Sequence, residues 1–160
     1  MRRIRYSVAM SLDGYIAGPK GEFDWIKTDP DFDFSAVFKQ FDTIVAGRGT
    51  FEPMAAAGDR TWIEALTDLK ASPGKDIWLF GGAKLFRSLA EAGMVDTVEA
   101  SVIPILLGDG VPLAPNLSNW INLSLVHHKV YSSGAVSTGI RHSPDRSTLT
   151  AKGRVFRTAR

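Results

Sequence analysis

The 160-residue chain contains no cysteine. This absence excludes disulfide bonds, thiolate nucleophiles and zinc sites built on cysteine. No apolar run approaches the roughly 20 residues that span a bilayer, and the basic start Met1 to Arg3 is not followed by the apolar region of a secretory signal. We therefore expect a cytoplasmic protein with no membrane partner.

Histidine is scarce as well, with three in the chain. His127 and His128 are adjacent on a predicted strand, so their side chains point to opposite faces and cannot chelate one metal ion. The third, His142, lies near the carboxyl end. We predict no metal site.

Basic charge is unevenly distributed along the chain. Residues 141–160 carry six basic residues and one acidic residue, whereas residues 1–140 carry 13 basic and 16 acidic residues. Because no aromatic stacking platform accompanies the basic end, it is typical of a solvated tail rather than a nucleic-acid-binding arm. We predict one domain over residues 1–140, a disordered basic tail over 141–160, and no nucleic-acid partner.

The stretch from Asp76 to Phe86 has the pattern of a strand, a tight turn and a helix. Residues 77–80 have no polar member, which predicts a strand buried on both faces of a mostly parallel sheet. Gly81 and Gly82 permit a sharp turn, and the following helix is predicted to end at Gly93. A helix that starts directly after glycines favours a phosphate through its free N–H groups and its dipole. Alternatively, the glycines only permit a short loop.

A second unit of the same kind lies earlier in the chain. Residues 43–46 predict a short buried strand, which is broken by Gly47, Arg48, Gly49 and Thr50. The guanidinium of Arg48 and the hydroxyl of Thr50 are donors that suit a phosphate.

The first strand is predicted over residues 3–10 and is followed by Asp13 and Gly14, a turn pair. A carboxylate at a strand end suits a pocket, but it can also simply cap the turn. Trp25, in the next loop, lines a cleft or covers the core. Ser35 is the predicted N-cap of a short helix that runs to Phe41.

The remaining helices and strands are predicted from the periodicity of apolar residues and from residues that start or end such elements. A capping box at Thr61 predicts a helix through Ala71, and Pro104 is expected to end the strand that starts at Thr97. Residues 123–131 and 135–138 predict an antiparallel hairpin, with no regular pattern beyond Gly139. Strands that alternate with helices and end in a hairpin indicate an α/β fold.

Five motifs together resemble the dihydrofolate reductase-like superfamily, most closely the RibD C-terminal reductase domain of riboflavin biosynthesis. They are A-M-S-L-D-G-Y-I-A-G at 9–18, D-x-x-x-x-G-R-x-T-F-E at 42–52, D-I-W-L-F-G-G-A-K-L-F at 76–86, G-x-V-D at 93–96 and V-I-P-I-L-L-G-D-G-V-P-L at 102–113. The resemblance implies a three-layer αβα fold whose mostly parallel central sheet ends in an antiparallel hairpin. Such domains commonly form homodimers.

The resemblance also implies an NADPH-dependent reductase. It would transfer hydride to a C=N or C=O of a small pyrimidine or pteridine-like heterocycle, similar to 5-amino-6-(5-phosphoribosylamino)uracil reductase or dihydrofolate reductase. Asp13 would orient the substrate or deliver a proton, although a water molecule could deliver it instead, and Trp25 would border the substrate. The implied NADPH-binding residues are Ala9, Ile16, Gly47, Arg48, Thr50, Phe80, Gly81, Gly82, Ala83, Lys84 and Leu85.

One part of the family pattern has no counterpart. The family usually has a further strand after the G-R-x-T helix, and the end of that strand grips the adenosine side of the cofactor. Here, residues 55–60 stand in its place, and Arg60, Thr61 or Lys75 are the candidates to replace it. The alternative function is that of a catalytically degenerate relative, which keeps the fold with weak or no nucleotide binding.

Overall fold

The computed structural model describes residues 1–27, 29–47 and 62–142. The elements in these ranges are β1 Ile4–Ser11, β2 Tyr15–Ala17, α1 Phe34–Phe38, β3 Phe41–Ala46, α2 Trp62–Ala71, β4 Asp76–Gly81, α3 Ala83–Glu91, β5 Thr97–Ile103, β6 Val111–Pro112, β7 Leu123–Val130 and β8 Val136–His142. Among the helices described, none is both long enough and apolar enough to cross a membrane.

Six strands form the central sheet in the order β3-β4-β1-β5-β8-β7. The first four strands are parallel to their neighbours, and β8 and β7 form an antiparallel hairpin against β5. This confirms the predicted mostly parallel sheet that ends in a hairpin. The ribbon that pairs β2 with β6 was not predicted.

Successive side chains of β1 point alternately to the two faces of the sheet. Ile4 and Tyr6 are fully buried on one face, where α2 and α3 cover them. The ring of Tyr6 stacks on Phe86 of α3 at a centroid distance of 4.2 Å, and Leu89 of α3 is fully buried in the same cluster. This face contains the hydrophobic core.

The opposite face is covered in part by α1 and the loop before it. Phe38 of α1 and Phe41 of β3 pack on Trp78 of β4, with centroid distances of 5.2 and 5.3 Å. Helices therefore lie on both faces of the sheet, and the three-layer αβα fold is confirmed.

Three local predictions need correction. β4 is not buried on both faces along its whole length, because Phe80 is 48% exposed at its carboxyl end. Helix α1 starts after Asp33 rather than Ser35, since the Asp33 carboxylate accepts the Ala36 N–H at 2.9 Å. The last strand continues past Gly139 to His142, because backbone pairing with both β5 and β7 holds it whatever its side-chain pattern.

Other boundaries agree with the sequence. Helix α2 ends at Ala71, and β5 ends at Ile103, directly before Pro104. Gly93 has φ +67° after α3, and the next residue, Met94, donates its N–H to the Leu89 carbonyl at 2.9 Å. This is the Schellman pattern that glycine permits at a helix end.

Candidate functional site

Gly47 and Gly81, each the first residue of a predicted glycine turn, lie side by side at the carboxyl ends of β3 and β4. The Gly47 N–H donates to the Gly81 carbonyl at 3.3 Å, and a Cβ at Gly47 would lie 3.7 Å from the Leu85 side chain. The strand order thus brings together the first residues of two segments predicted from the sequence to bind phosphate. Arg48 and Thr50 lie outside the described residues.

Gly82 is the N-cap of α3, with φ 83° and ψ 124° and no side-chain cap. A Cβ at this position would meet nothing within 4 Å. Glycine is therefore required here by the positive φ of the backbone and not by crowding from neighbouring atoms. The N–H groups of Ala83, Lys84 and Leu85 precede the first intrahelical bond. No acidic residue occupies this first turn, so the helix start is open and electropositive, as an anion site requires.

A cavity of about 470 Å³ lies on the sheet face opposite the hydrophobic core. Its floor is formed by β1, β5, β8 and β7, and its roof by the loop before α1 together with α1. The lining residues are Arg5, Ser7, Val8, Ala9, Ile26, Lys27, Asp29, Phe32, Phe34, Val37, Gln40, Trp78, Glu99, Ser101, Ile103, His127, Lys129, Tyr131, Ala135 and Ser137. Its volume is within the range of small-molecule sites.

Strand register arranges the cavity floor in two rows across the sheet. One row runs from Ala9 through Ser101 and Ser137 to Lys129. The row beneath it runs from Ser7 through Glu99 and Gly139 to His127. Each row crosses four strands, so a ligand on this floor can contact chemically different groups at its two ends.

Glu99 is held in place by the residues around it. Its carboxylate accepts bonds from the Arg5 guanidinium at 2.6 and 2.7 Å and from the Ser7 hydroxyl at 2.7 Å. Arg5 also contacts Asp76 at 3.2 Å. Burial would raise the pKa of Asp76, but bonds from Arg3 and Arg5 outweigh burial and hold that pKa below its usual range.

His127 lies over a glycine. A Cβ at Gly139 would come within 1.9 Å of the imidazole Cε1, so any side chain at residue 139 would displace the ring. On the same strand, the Lys129 amino group donates to the Asp31 carbonyl at 3.2 Å and lies 4.4 Å from the Tyr131 ring centroid.

Asp13 joins two loops beside the sheet. Its carboxylate accepts the Ser11 hydroxyl at 2.6 Å and the Gly108 N–H at 2.8 Å, and it also accepts the Leu107 N–H. The Ser11 hydroxyl, followed by these backbone groups, lowers the pKa of Asp13. The bonds from Ser11, Leu107 and Gly108 are those of a carboxylate that caps a turn, which is one of the two alternatives given by the sequence.

Some of the other predicted site residues lie at the cavity, and others lie away from it. Ala9 lines the cavity, and Ile16 lies in β2. Trp25 donates to the Glu22 carbonyl within its own loop, while its neighbour Ile26 lines the cavity. Lys75 directly precedes β4, so it lies at the amino end of that strand, whereas Gly81 lies at its carboxyl end. Arg60 and Thr61 lie outside the described residues.

Except for Ala9, sequence reasoning missed the residues of the cavity floor. Arg5 and Ser7 alternate with apolar residues on β1, and Glu99 and Ser101 do so on β5. Polar residues at alternate positions of two central strands are the signal that could have indicated a polar site on one face. Within the described ranges, no group of His, Asp or Glu side chains could hold a metal ion.

Comparison with known sequences identifies a family. The model of the RibD C-terminal domain matches residues 2–65 and 56–137. The uncharacterized protein YyaP of Bacillus subtilis (strain 168) is 34% identical over 173 residues, which cover 84% of this chain and 92% of that protein. This alignment exceeds the 160-residue chain, so YyaP contains residues with no counterpart here. The two family matches overlap at residues 56–65, which include most of the stretch 55–60 where the sequence pattern predicts no counterpart to the family's further strand.

Solved structures show the same fold. A diaminohydroxyphosphoribosylaminopyrimidine deaminase/5-amino-6-(5-phosphoribosylamino)uracil reductase from Thermotoga maritima gives a TM-score of 0.68 at 14% identity, over 89% of this chain and 57% of that chain. Dihydrofolate reductase from Enterococcus faecalis gives a TM-score of 0.61 at 19% identity, over 89% and 97% of the two chains. At these identities the comparison concerns the fold alone.

Proposed function

Because the chain belongs to the RibD C-terminal domain family, whose model matches most of its length, we propose that it is an NADPH-dependent reductase. It transfers hydride to a C=N or C=O of a small pyrimidine or pteridine-like heterocycle. One observation carries the proposal: the open start of α3 and the large cavity lie at neighbouring strands of one sheet. Ligands of open α/β sheets bind at the carboxyl ends of such strands.

The glycine turns fit a dinucleotide phosphate. Gly81, Gly82 and the N–H groups of residues 83–85 would hold the pyrophosphate, and Gly47 would bring the neighbouring turn to the same phosphates. Arg48, Thr50 and Phe80 are further proposed contacts on this side. β1 lies next to β4, so Ala9 and Ile16 are the proposed neighbours of the nicotinamide, which would supply the hydride.

The substrate would lie in the cavity over Ala9. Its roof includes Ile26, Phe32 and Phe34, apolar groups that would exclude water above a planar ring. The lowered pKa of Asp13 makes water the proposed proton donor, with Asp13 orienting the loop beside the substrate. Trp25 would cover the site from the loop that carries Ile26.

A homodimer is the proposed assembly. β7 is the last strand of the sheet in the described part of the chain, and it exposes about half or more of each of Leu123, Leu125, Val126 and Val130. Apolar side chains on an edge strand favour contact with another chain. Light scattering after size exclusion tests this: wild type should have the mass of two chains, and Val126→Lys that of one. A monomeric wild type would contradict this assembly.

The test of the cofactor site is a titration of NADPH fluorescence with matched variants. Gly82→Asp and Gly82→Ala share the backbone strain of a side chain at φ 83°, but only the first adds a negative charge. Lys84→Glu adds a negative charge at an exposed residue of the first turn without that strain. We expect both acidic variants to weaken NADPH binding by about tenfold or more, and Gly82→Ala by clearly less.

Failure of the wild-type protein to bind NADPH would favour the alternative function, that of a catalytically degenerate relative. That alternative rests on the sequence expectation that residues 55–60 stand where the family has a further strand, whose end grips the adenosine side of the cofactor. A folded wild-type protein that shows no saturable NADPH binding at millimolar concentration would support it and would reject the reductase.

A further inference from the structure

A second cavity, of about 120 Å³, lies on the sheet face that carries the hydrophobic core. Its inner wall includes Phe86 of α3 and Val98 of β5, both of which are buried members of the core cluster. The next residue of β5, Glu99, points to the opposite face of the sheet and lines the large cavity. The central sheet therefore separates this second cavity from the proposed substrate site.

The outer wall of the second cavity is a segment without helix or strand between β6 and β7, residues 113–122, which we call the strap. Leu113, Leu117 and Ile121 of the strap line the cavity and are partly buried. Ser118 donates its N–H and its hydroxyl to Glu91 Oε1 at the end of α3, each at 2.8 Å. Polar bonds thus hold the strap to α3, while its apolar side chains border a space that they do not fill.

Small residues line the same space from three sides. They are Ala90 on α3, Gly93 in the turn after α3 and Ala114 on the strap. Atoms that border an empty space lack van der Waals partners on one side. An apolar molecule of the right size would therefore gain contacts here without displacing a side chain.

The chemistry of the lining selects an uncharged occupant. In the described part of the chain, Asp96 is the charged residue of this lining, and its carboxylate accepts the Lys70 amino group at 2.6 Å and the Ile4 N–H at 2.7 Å. Its charge is thus compensated within the protein. An engineered cavity of about 150 Å³ in another protein, lined by Leu, Ile and Phe, stays dry and binds benzene.

We propose that the cavity beneath the strap binds one uncharged apolar molecule of the size of a single aromatic ring. The ring would lie between Phe86 and the strap, in contact with Leu117 and Ile121. Gly93 and Leu123 are the exposed lining residues, so the molecule would enter between them. The inference does not depend on the proposed reductase function, because the site lies on the other face of the sheet.

Benzene is the probe that tests the site, and benzoate, which adds a carboxylate to the same ring, is its matched control. Calorimetric titration should show saturable binding of one benzene per chain with a Kd of about 1 mM. The methyl resonances of Leu117 and Ile121 should shift in the same titration, and benzoate should bind about tenfold or more weakly. No saturable benzene binding, or equal affinity for benzoate, overturns the proposal.

Variants of the cavity wall locate the binding. Ala90→Leu places a larger side chain at the lining and should weaken benzene binding by about tenfold or more. Ala92→Leu, at an exposed residue of the same helix end that does not line the cavity, should leave the Kd within about twofold. Leu117→Ala enlarges the cavity and should bind p-xylene about tenfold more tightly than wild type does.

Far-UV circular dichroism verifies that each of these variants folds. Unchanged benzene binding in a folded Ala90→Leu protein, or unchanged p-xylene binding in Leu117→Ala, contradicts the location. The enlarged variant decides the question if Ala90→Leu does not fold.

A second copy of the chain is the competing occupant, because Leu123 belongs both to this cavity and to the exposed apolar residues of β7. Wild type and Val126→Lys, the variant designed to separate the two chains, should bind benzene with the same Kd to within about twofold. Benzene binding that appears only in Val126→Lys would show that the second copy closes the cavity, and it would overturn the proposal.

Discussion

Arg5→Met should destabilise the protein strongly, because Arg5 links the charged groups beneath the cavity. Its side chain is 10% exposed and contacts Glu99 at 2.6 Å and Asp76 at 3.2 Å, and it lies 4.7 Å from the Phe41 ring centroid. Removing one partner of a buried ion pair costs roughly 3–5 kcal/mol. Since Asp76 keeps its bond to Arg3, we expect the lower end, about 3 kcal/mol.

Urea denaturation followed by circular dichroism measures this loss, which corresponds to a fall in Tm of roughly 6–12 °C for a domain of this size. Arg3→Met is the matched control: Arg3 also binds Asp76, but its side chain is 61% exposed, so it should cost less than about 1 kcal/mol. The double variant Arg5→Met/Glu99→Met should recover part of the lost stability, because it leaves no unpaired carboxylate at residue 99. An Arg5→Met protein within about 1 kcal/mol of wild type would refute the reasoning.

Three further predictions concern the core, acid stability and the Asp13 loop. Leu89→Ala, at a fully buried position, should cost about 2–5 kcal/mol in urea denaturation; a loss below 1 kcal/mol would contradict the packing. The lowered pKa of Asp76 contributes stability above its unfolded pKa of about 4, and this is lost as the pH falls through the folded pKa. Arg5→Met should therefore shift acid unfolding, followed by circular dichroism, to higher pH, and an unchanged midpoint would contradict the pairing. Asp13→Asn should raise KM without moving the pH profile of kcat; a shifted profile would restore Asp13 as the proton donor.

The sequence predicted those parts of the fold that depend on local rules. A continuous apolar run followed by Gly81 and Gly82 specifies a buried strand, a turn and a helix, because the positive φ at Gly82 is a backbone requirement that is visible in the sequence. The ribbon of β2 and β6 was missed, since strands of three and two residues show no periodicity. The start of α1 was misplaced because Asp33 and Ser35 are both favourable N-cap residues.

The cavity could not be predicted without knowing the order of the strands in the sheet. Arg5 and Glu99 are 94 residues apart in the chain and meet because β1 and β5 are neighbours. His127 reaches the floor because the register places Gly139 beside it. Neither relationship follows from local pattern, whereas the glycine turns could be predicted because each depends on a few consecutive residues.

The most direct test of the central claim is the titration of wild-type protein with NADPH, followed by the fluorescence of the cofactor. The open helix start at Gly82 and the adjacent turn at Gly47 predict saturable binding of one NADPH per chain. We expect a Kd in the micromolar range, about −8 kcal/mol at 1 μM. The absence of saturation at millimolar NADPH would contradict the account.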